Sequence, residues 1–265
     1  MQPSKLVVSN IQTTDLLYYD STFVDKAYEF CRDRDIDCLP CLDDPKSFYQ
    51  RDDQTQNFKP EKLSPERCVF GSRSIFHPEL LEQLRTYPLL FVMEDGELSG
   101  VVHFSDYNNP IISDFLYTHL ASYERNLRQL AILSDLSDAN MGIYFRQKLE
   151  ENTAAKGDVS YFQGKVSKFD KGSGNRAKTP PFQSFYLEDL LGLLNHYNVI
   201  SLEGKVIDLR NSVMHIHAIV NRVDVTTPDY IYDFKSFKEF FKRAQALFND
   251  ARRVENRIRF IRQIK

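Results

Sequence analysis

The chain has 265 residues, of which 42% are hydrophobic and 27% are charged, and its formal net charge is −3. This length allows one large domain or two ordinary ones, and the composition is that of a globular protein and excludes a fibrous or disordered chain. No window approaches the roughly 18 uninterrupted apolar residues of a membrane span, and the first residues do not read as a signal peptide, so we expect a cytoplasmic protein without a membrane partner.

The charges are distributed unevenly along the chain. Residues 1–110 carry 11 Lys and Arg against 19 Asp and Glu, which leaves 23 against 18 in residues 111–265. Ten basic and four acidic residues fall between Asp233 and Lys265, on a segment that predicts one long helix. Two interpretations fit this basic excess, a solvated helix face and a surface that meets a polyanion.

The first half predicts short helices and strands in alternation. Helices are expected at 24–36 and 77–87, strands at 38–43, 67–72, 88–94 and 98–106, and a turn at Asp95-Gly96. A helix, strand, strand order thus occurs twice, which suggests a repeat with one copy at 10–72 and the other starting at Ser74. The polar segment 46–66 predicts an exposed loop inserted into the first copy.

All four cysteines lie in the first quarter of the chain, and Cys38 and Cys41 have the C-x-x-C spacing of zinc and redox sites. A zinc site needs a second pair of ligands, and a thioredoxin-like site needs the pair at a helix N-terminus. We therefore interpret these cysteines as packing residues of a strand, with metal or redox chemistry as the alternative.

After Asn109 the pattern becomes helical throughout. Apolar residues at 116, 120, 123, 127 and 130 predict a long helix with a heptad-like seam, and four further helices are expected after it. The basic segment 165–181, rich in glycine and proline, predicts a surface loop or a segment that orders on a nucleic acid. The sequence therefore predicts an α+β domain at 1–109 and an all-helical bundle at 110–265.

The strand that ends in GVVHFSDYN places Ser105 and Asp106 directly before a helix, where a phosphate and a ribose can be bound. This ending and the duplicated order resemble the paired CBS (Bateman) module. The resemblance implies an adenine nucleotide, ATP, ADP or AMP, as a regulatory ligand, with Asp106 on the ribose and Ser105 on the phosphate. The first copy ends in CVFGSRSIF without the aspartate, so one of the two nucleotide sites should be weak or lost. A simple N-cap is the other interpretation of Ser105 and Asp106.

The stretch DLRNSVMHIH contains Arg210, Asn211 and His215 at the start of a predicted helix, and the first long helix carries Glu124 and Arg128 one turn apart. Together these resemble the HEPN domain, a helical bundle whose catalytic members have an R-x4-6-H motif. The resemblance implies a metal-independent endoribonuclease that acts as a homodimer on RNA. Arg210 and His215 would form the active pair, Asn211 would orient it, and Glu124 with Arg128 would support it.

The residue types suit this chemistry. A neutral histidine can take the proton of the RNA 2′-hydroxyl, and a guanidinium can stabilise the charge that develops on the phosphate. On the predicted helix, Asn211 and His215 lie one turn apart on one face and Arg210 projects about 100° away, so two facing helices can direct Arg210 and His215 at one phosphate better than a single helix can. The combined resemblance predicts a nucleotide-regulated ribonuclease for stress response, RNA turnover or phage defence. The alternative is a non-catalytic nucleotide-sensing protein that dimerises or binds a partner.

Overall fold

A computed structural model of the chain describes residues 5–34, 36–155, 157–172, 179–214 and 233–265. The first part contains two three-stranded sheets and the rest is helical, so an α+β region precedes a helical one. In chain order the described elements are α1 (Val24–Asp33), β1 (Cys38–Pro40), β2 (Ser47–Asp52), β3 (Asn57–Lys62), β4 (Cys68–Phe70), α2 (Pro78–Thr86), β5 (Leu89–Glu94), β6 (Glu97–His103), α3 (Pro110–Leu133), α4 (Asp138–Ala154), α5 (Ser160–Lys171), α6 (Leu187–His196), α7 (Lys205–Met214) and α8 (Phe234–Ile264).

The first sheet is an antiparallel meander in the order β1-β2-β3. Because side chains alternate between the faces of a strand, Leu39 and Phe58 pack against helix α1, where Tyr28 and Cys31 complete a buried cluster. Phe48 and Cys38 point the other way and pack against Phe91 of the second sheet. The first sheet therefore has an apolar neighbour on each face.

The prediction of an exposed loop at 46–66 was wrong, because this segment forms the hairpin of β2 and β3. Its pattern resembles a loop because Phe58 is the only buried residue of β3 and the other side chains of that strand are exposed. Pro60 is compatible with the strand because β3 lies at the edge of the sheet, where one backbone donor can be lost.

The second sheet has the order β4-β5-β6, with β4 parallel to β5 and β5 antiparallel to β6. Helix α2 connects the parallel pair. The predicted turn at Asp95-Gly96 is confirmed, since both residues have positive φ, 51° and 88°, as a tight hairpin turn requires. Strand β5 is central, and Leu90, Phe91 and Val92 are all buried in succession.

The second sheet corrects the predicted division between two copies. Residues 67–72 were expected to end the first copy, but β4 pairs with β5 and so belongs to the second sheet. The two sheets also differ in topology, since the first is wholly antiparallel and the second is mixed. The helix, strand, strand order of α2, β5 and β6 itself agrees with the prediction.

Contacts group the described residues into two compact units, 5–116 with 233–242 and 117–214 with 243–265. Helices α3 and α8 each contribute residues to both. In the first unit, the start of α8 supplies Phe237 and Phe241 to an aromatic cluster with Phe76 and Tyr107. The Tyr107 hydroxyl donates a hydrogen bond to the carbonyl of Ile75, which ties the end of β6 to the segment before α2.

The predicted seam of α3 is confirmed, because Leu116, Leu120, Tyr123, Leu127 and Leu130 are all buried. Among the helices of the described residues, none combines the length and the apolar character that crossing a bilayer requires.

The prediction of a loop over 165–181 was wrong at its start, because residues 165–171 belong to α5. Lys165 points inward, and its Nζ lies 2.6 Å from Oδ1 of the buried Asp189 at the start of α6. Rings of Phe145, Tyr161 and Tyr186 lie within 6 Å of the same ammonium group. The basic character of this segment is therefore used in part to join α5 to α6. Residues 173–178 lie outside the described residues.

We expect Phe48→Ala to lower the free energy of unfolding by about 3–5 kcal/mol, because it removes a buried ring that packs against Phe91 at a centroid distance of 5.3 Å. Phe70→Ala is the matched control, because that ring is 66% exposed and its loss should cost less than about 0.5 kcal/mol. Urea denaturation followed by circular dichroism measures both. Equal losses in the two variants would contradict the assignment of Phe48 to the core between the sheets.

Candidate functional site

Helix α7 carries the first two residues of the predicted ribonuclease motif. Val206, Leu209 and Val213 are buried at helical spacing and fix which face of α7 packs inward. Arg210 is half-buried on the flank of that face, and Asn211 is exposed beside it. His215 follows the last residue of α7 and lies outside the described residues, so the predicted pairing of Arg210 with His215 stays a prediction.

Arg210 differs from the other half-buried arginines of the helical region in its partners. Within the described part of the chain, its guanidinium makes no ion pair or hydrogen bond. The acidic residue two positions earlier, Asp208, lies 3.9 Å from Arg243 instead. Since arginine is seldom buried without a partner, the Arg210 guanidinium is available to an anion from solution.

The start of α7 is held by hydrogen bonds to the segment before it. Asn195 of α6 donates to the carbonyl of Leu202 at 3.0 Å and accepts from the amide of Leu202 at 2.8 Å. Arg253 of α8 donates to the carbonyl of Ser201 at 2.7 Å. The backbone that leads into α7 is thus fixed from two helices, which limits where Arg210 can lie.

Asp250 positions Arg253 from within the core. Its Oδ1 lies 3.4 Å from the Arg253 guanidinium, and its side chain is almost fully buried. Burial raises the pKa of this carboxyl, while the charge of Arg253 opposes the rise. The other carboxylate oxygen and the nearby hydroxyl of Tyr123 have no hydrogen-bond partner among the described residues. Sequence reasoning missed Asp250, although the residue falls on the apolar seam of Leu247, Val254, Ile258 and Ile261.

Glu124 and Arg128 are together, as their spacing on α3 predicts. The Arg128 Nη2 atom lies 2.5 Å from Oε1 of Glu124 and 3.1 Å from the carbonyl of Phe185. Its Nε atom donates to the carbonyl of Phe182 at 3.1 Å. Arg128 therefore binds one carboxylate and two backbone carbonyls, and it holds the segment that leads into α6. We call these groups the Arg128 cluster.

Ser105 and Asp106 lie in a 3₁₀ turn, Phe104–Asn108, that joins β6 to α3. Oδ2 of Asp106 accepts a hydrogen bond from the amide of His103 at 2.8 Å. The Ser105 hydroxyl lies 2.7 Å from Nδ1 of His103, which also accepts from the amide of Ser105. Both residues that were predicted to bind a nucleotide therefore already have hydrogen-bond partners within the fold, and Asp106 completes a capping interaction.

The environment of Asp106 favours its protonated form. Burial raises the pKa of this carboxyl from 3.8 to about 6, and the hydrogen bond from His103 opposes the rise. The phenol of Tyr107 next to it is fully buried in the aromatic cluster. A further charge at Asp106, such as a phosphate, would have to approach a carboxylate that is already poorly solvated.

An apolar cavity of about 360 Å³ lies in the same unit, lined among others by Lys46, Leu63, Cys68 and Met93. Neither Ser105 nor Asp106 lines it. The predicted nucleotide contacts and this cavity are therefore separate features of the first unit.

The cysteines are free thiols. Cys38 lies in β1, not at a helix N-terminus, and burial raises the pKa of its thiol to about 11. Such a thiol stays protonated near neutral pH and is a poor nucleophile. The interpretation of Cys38 as a packing residue agrees with its place in the core between the two sheets.

The structure thus joins some of the predicted site residues. Glu124 contacts Arg128, and Ser105 and Asp106 both surround His103. Within the described part of the chain, no hydrogen bond or ion pair joins the Arg128 cluster to Arg210 or Asn211. Comparison of the chain with protein-family models, with curated proteins and with solved structures finds no match in any of the three.

Arg128→Ala should lower the free energy of unfolding by about 2–4 kcal/mol, because it leaves the Glu124 carboxylate and the carbonyl of Phe185 without this donor and removes one of the two donors to the carbonyl of Phe182. Arg125→Ala, three residues earlier on the exposed face of α3, should cost less than about 0.5 kcal/mol. Chemical denaturation of both variants tests the structural role of Arg128. If Arg128→Ala is as stable as Arg125→Ala, that role is wrong.

Asp106→Asn should change how stability depends on pH. Because the folded protein raises the pKa of this carboxyl from 3.8 to about 6, it binds the proton more tightly than the unfolded chain does. The stability contributed by the protonated form is present below about pH 4 and is lost as the pH rises through about 6.

Asparagine keeps an acceptor for the His103 amide but cannot ionise. As the pH rises from about 4 to 7, the free energy of unfolding of the variant should therefore increase by about 2 kcal/mol relative to that of the unsubstituted protein. Denaturation of both proteins at the two pH values measures this difference. A difference that is the same at both would show that Asp106 does not titrate as described.

Proposed function

We propose that the chain is a metal-independent endoribonuclease whose reaction centre contains Arg210 and His215. The observation that carries the proposal is Arg210, a half-buried residue whose guanidinium has no anionic partner among the described residues. Arginine binds phosphate through paired donors, and it keeps its charge at every physiological pH. Arg210 is therefore suited to hold an RNA phosphate.

In the proposed reaction, His215 takes the proton of a 2′-hydroxyl and the freed oxygen attacks the adjacent phosphorus. The bond from phosphorus to the 5′-oxygen breaks, and this oxygen takes a proton from water and leaves as a 5′-hydroxyl. The products are a 2′,3′-cyclic phosphate and a 5′-hydroxyl end. Arg210 stabilises the charge on the phosphoryl oxygens during the attack, and Asn211 orients the phosphate or the histidine.

The remaining predicted residues have supporting parts in this proposal. Glu124 and Arg128 act as positioning residues, because the Arg128 cluster fixes the segment that leads into α6 and not the phosphate itself. Arg210 and Asn211 diverge around α7 by about 100°, which favours a cleft shared by two copies of the chain. We therefore propose a homodimer, acting in the cytoplasm.

Regulation by an adenine nucleotide is the second part of the proposal, with the ligand bound at Ser105 and Asp106 in a CBS-like region. The order of α2, β5 and β6 before the 3₁₀ turn supports it, since it places both residues at the end of a strand. Helix α3 begins directly after that turn and carries Glu124 and Arg128. A nucleotide that changes the start of α3 would thereby bias the helical bundle.

A non-catalytic nucleotide-sensing protein that dimerises or binds a partner is the second candidate. One observation favours it: Glu124 and Arg128, the supporting pair of the predicted active site, are engaged within the fold. In this alternative Arg210 and Asn211 contribute to a contact with a partner and not to chemistry.

Incubation with total RNA in EDTA distinguishes the candidates. We expect 2′,3′-cyclic phosphate ends from the unsubstituted chain and a loss of about 10²–10⁴-fold in cleavage rate for Arg210→Ala and for His215→Ala. Arg125→Ala is the control, because it removes an exposed arginine of α3 and should keep full activity. Cleavage that survives both substitutions removes the site assignment, and no cleavage under any condition favours the second candidate.

The same assay with ATP, ADP or AMP tests the regulatory part. We expect a change in cleavage rate with at least one of the nucleotides and its loss in Ser105→Ala and Asp106→Ala. Nucleotides that bind without altering cleavage would refute the coupling and leave the ribonuclease assignment in place.

A further inference from the structure

The last turns of α8 present an exposed face of arginine and aromatic residues. Arg252, Arg257, Arg259 and Arg262 are exposed, and within the described ranges none of the four has an ion-pair partner. Phe260 is 51% exposed and lies beside the guanidinium of Arg257, 5.6 Å from its ring centroid. We call these five residues the α8 basic surface.

Two neighbouring basic residues are excluded from this surface by their contacts. Arg253 donates to Ser201 and faces Asp250, and Lys265 lies 2.7 Å from Asp135. Arg253 and Lys265 therefore bind acceptors within the fold, whereas the four arginines of the α8 basic surface can bind a ligand. The nearby exposed acid, Glu255, is a single negative charge against four positive ones.

The placement of the arginines follows from the buried seam of α8. Val254, Ile258 and Ile261 are buried and define the inner face of the helix. Arg252 and Arg259 lie seven residues apart, and so within about 20° of each other around the axis, on the opposite side. Phe260 lies about 100° from Arg259 toward the flank of Arg257. Arg262 lies about 60° from Arg259 on the side away from Phe260, and Glu255 lies one turn from both Arg252 and Arg259. The arginines are therefore spread over the exposed side of α8, with the ring on one flank.

We propose that the α8 basic surface binds single-stranded RNA, with phosphates on Arg252, Arg259 and Arg262 and a base stacked on Phe260. Single-stranded RNA is bound by positive charge that meets its backbone and by rings on which its bases stack, and the exposed arginines and Phe260 supply both. Because this surface would bind the substrate of the proposed ribonuclease, the inference rests on the proposed function.

The surface lies apart from the proposed reaction centre. Contacts of α7 with α8 place Asp208 near Arg243 and the segment before α7, at Ser201, near Arg253. Arg252, the first residue of the α8 basic surface, lies about 13 Å along α8 from Arg243, the residue that faces Asp208 of α7. An RNA strand held on the surface would extend toward Arg210 over several nucleotides.

Fluorescence anisotropy with a labelled oligouridine RNA in EDTA tests the inference. The triple variant Arg252→Gln, Arg259→Gln and Arg262→Gln should bind at least about 10-fold more weakly, and the slope of log affinity against log salt should fall by about 2. Phe260→Ala should weaken binding by about 5- to 100-fold through loss of stacking. The charge-matched control, Arg125→Gln with Lys168→Gln and Lys171→Gln, removes three exposed positive charges elsewhere and should bind normally.

Equal losses in the triple variant and its control, or normal binding by the triple variant, would overturn the inference. Tighter binding of an RNA duplex than of the single strand would also overturn it. If light scattering shows that Phe260→Ala converts a dimer into a monomer, the surface binds a second copy of the chain and not RNA. Arg210→Ala removes one phosphate contact and should weaken RNA binding less than the triple variant does. Binding without cleavage by the unsubstituted chain thus refutes only the proposed function, and cleavage without this binding refutes only the inference.

Discussion

At the point where the chain enters α6, Arg128 donates hydrogen bonds to the backbone carbonyls of Phe182 and Phe185, and the carbonyl of Phe182 also accepts one from the amide of Phe185. Glu124, one turn earlier on α3, balances the charge of that guanidinium. A charged group at this depth is stable only because all three acceptors surround it. The position of α6 depends on this contact, and through Asn195 of α6 so does the backbone that leads into α7.

The arginines of the helical region have different roles, which depend on whether they have partners within the fold. Arg128 and Arg253 bind carbonyls and carboxylates of the fold, while Arg210 has no such partner among the described residues. A paired arginine stabilises structure, and an unpaired one on a fixed helix presents its charge to a ligand. The proposed reaction centre and the α8 basic surface both rest on that difference in pairing, which cannot be inferred from the identity of the residues.

Periodic patterns predicted the elements that bury a continuous face. The seam of α3, the helix α2, the hairpin of β5 and β6 and its turn at Asp95 all lie where the sequence places them. The hairpin of β2 and β3 escaped prediction because its outer side chains are polar and only Phe48 and Phe58 are buried. The second half of α5, residues 165–171, escaped it for a related reason, since Lys165 has the residue type of a loop yet its ammonium group lies within 6 Å of three aromatic rings.

The sequence by itself determined the α+β region followed by helices and the pairing of Glu124 with Arg128, because these depend on spacing within one element. Ser105, Asp106, Arg210 and Asn211 were named as candidates from motifs that resemble those of known families. Only the tertiary structure decided which sheet β4 joins, that Arg128 binds the segment before α6 and that Asp106 is engaged by His103. These contacts join residues from different elements or depend on the geometry of a turn. Their partners are set by burial and by the need to satisfy backbone groups, which local periodicity does not encode.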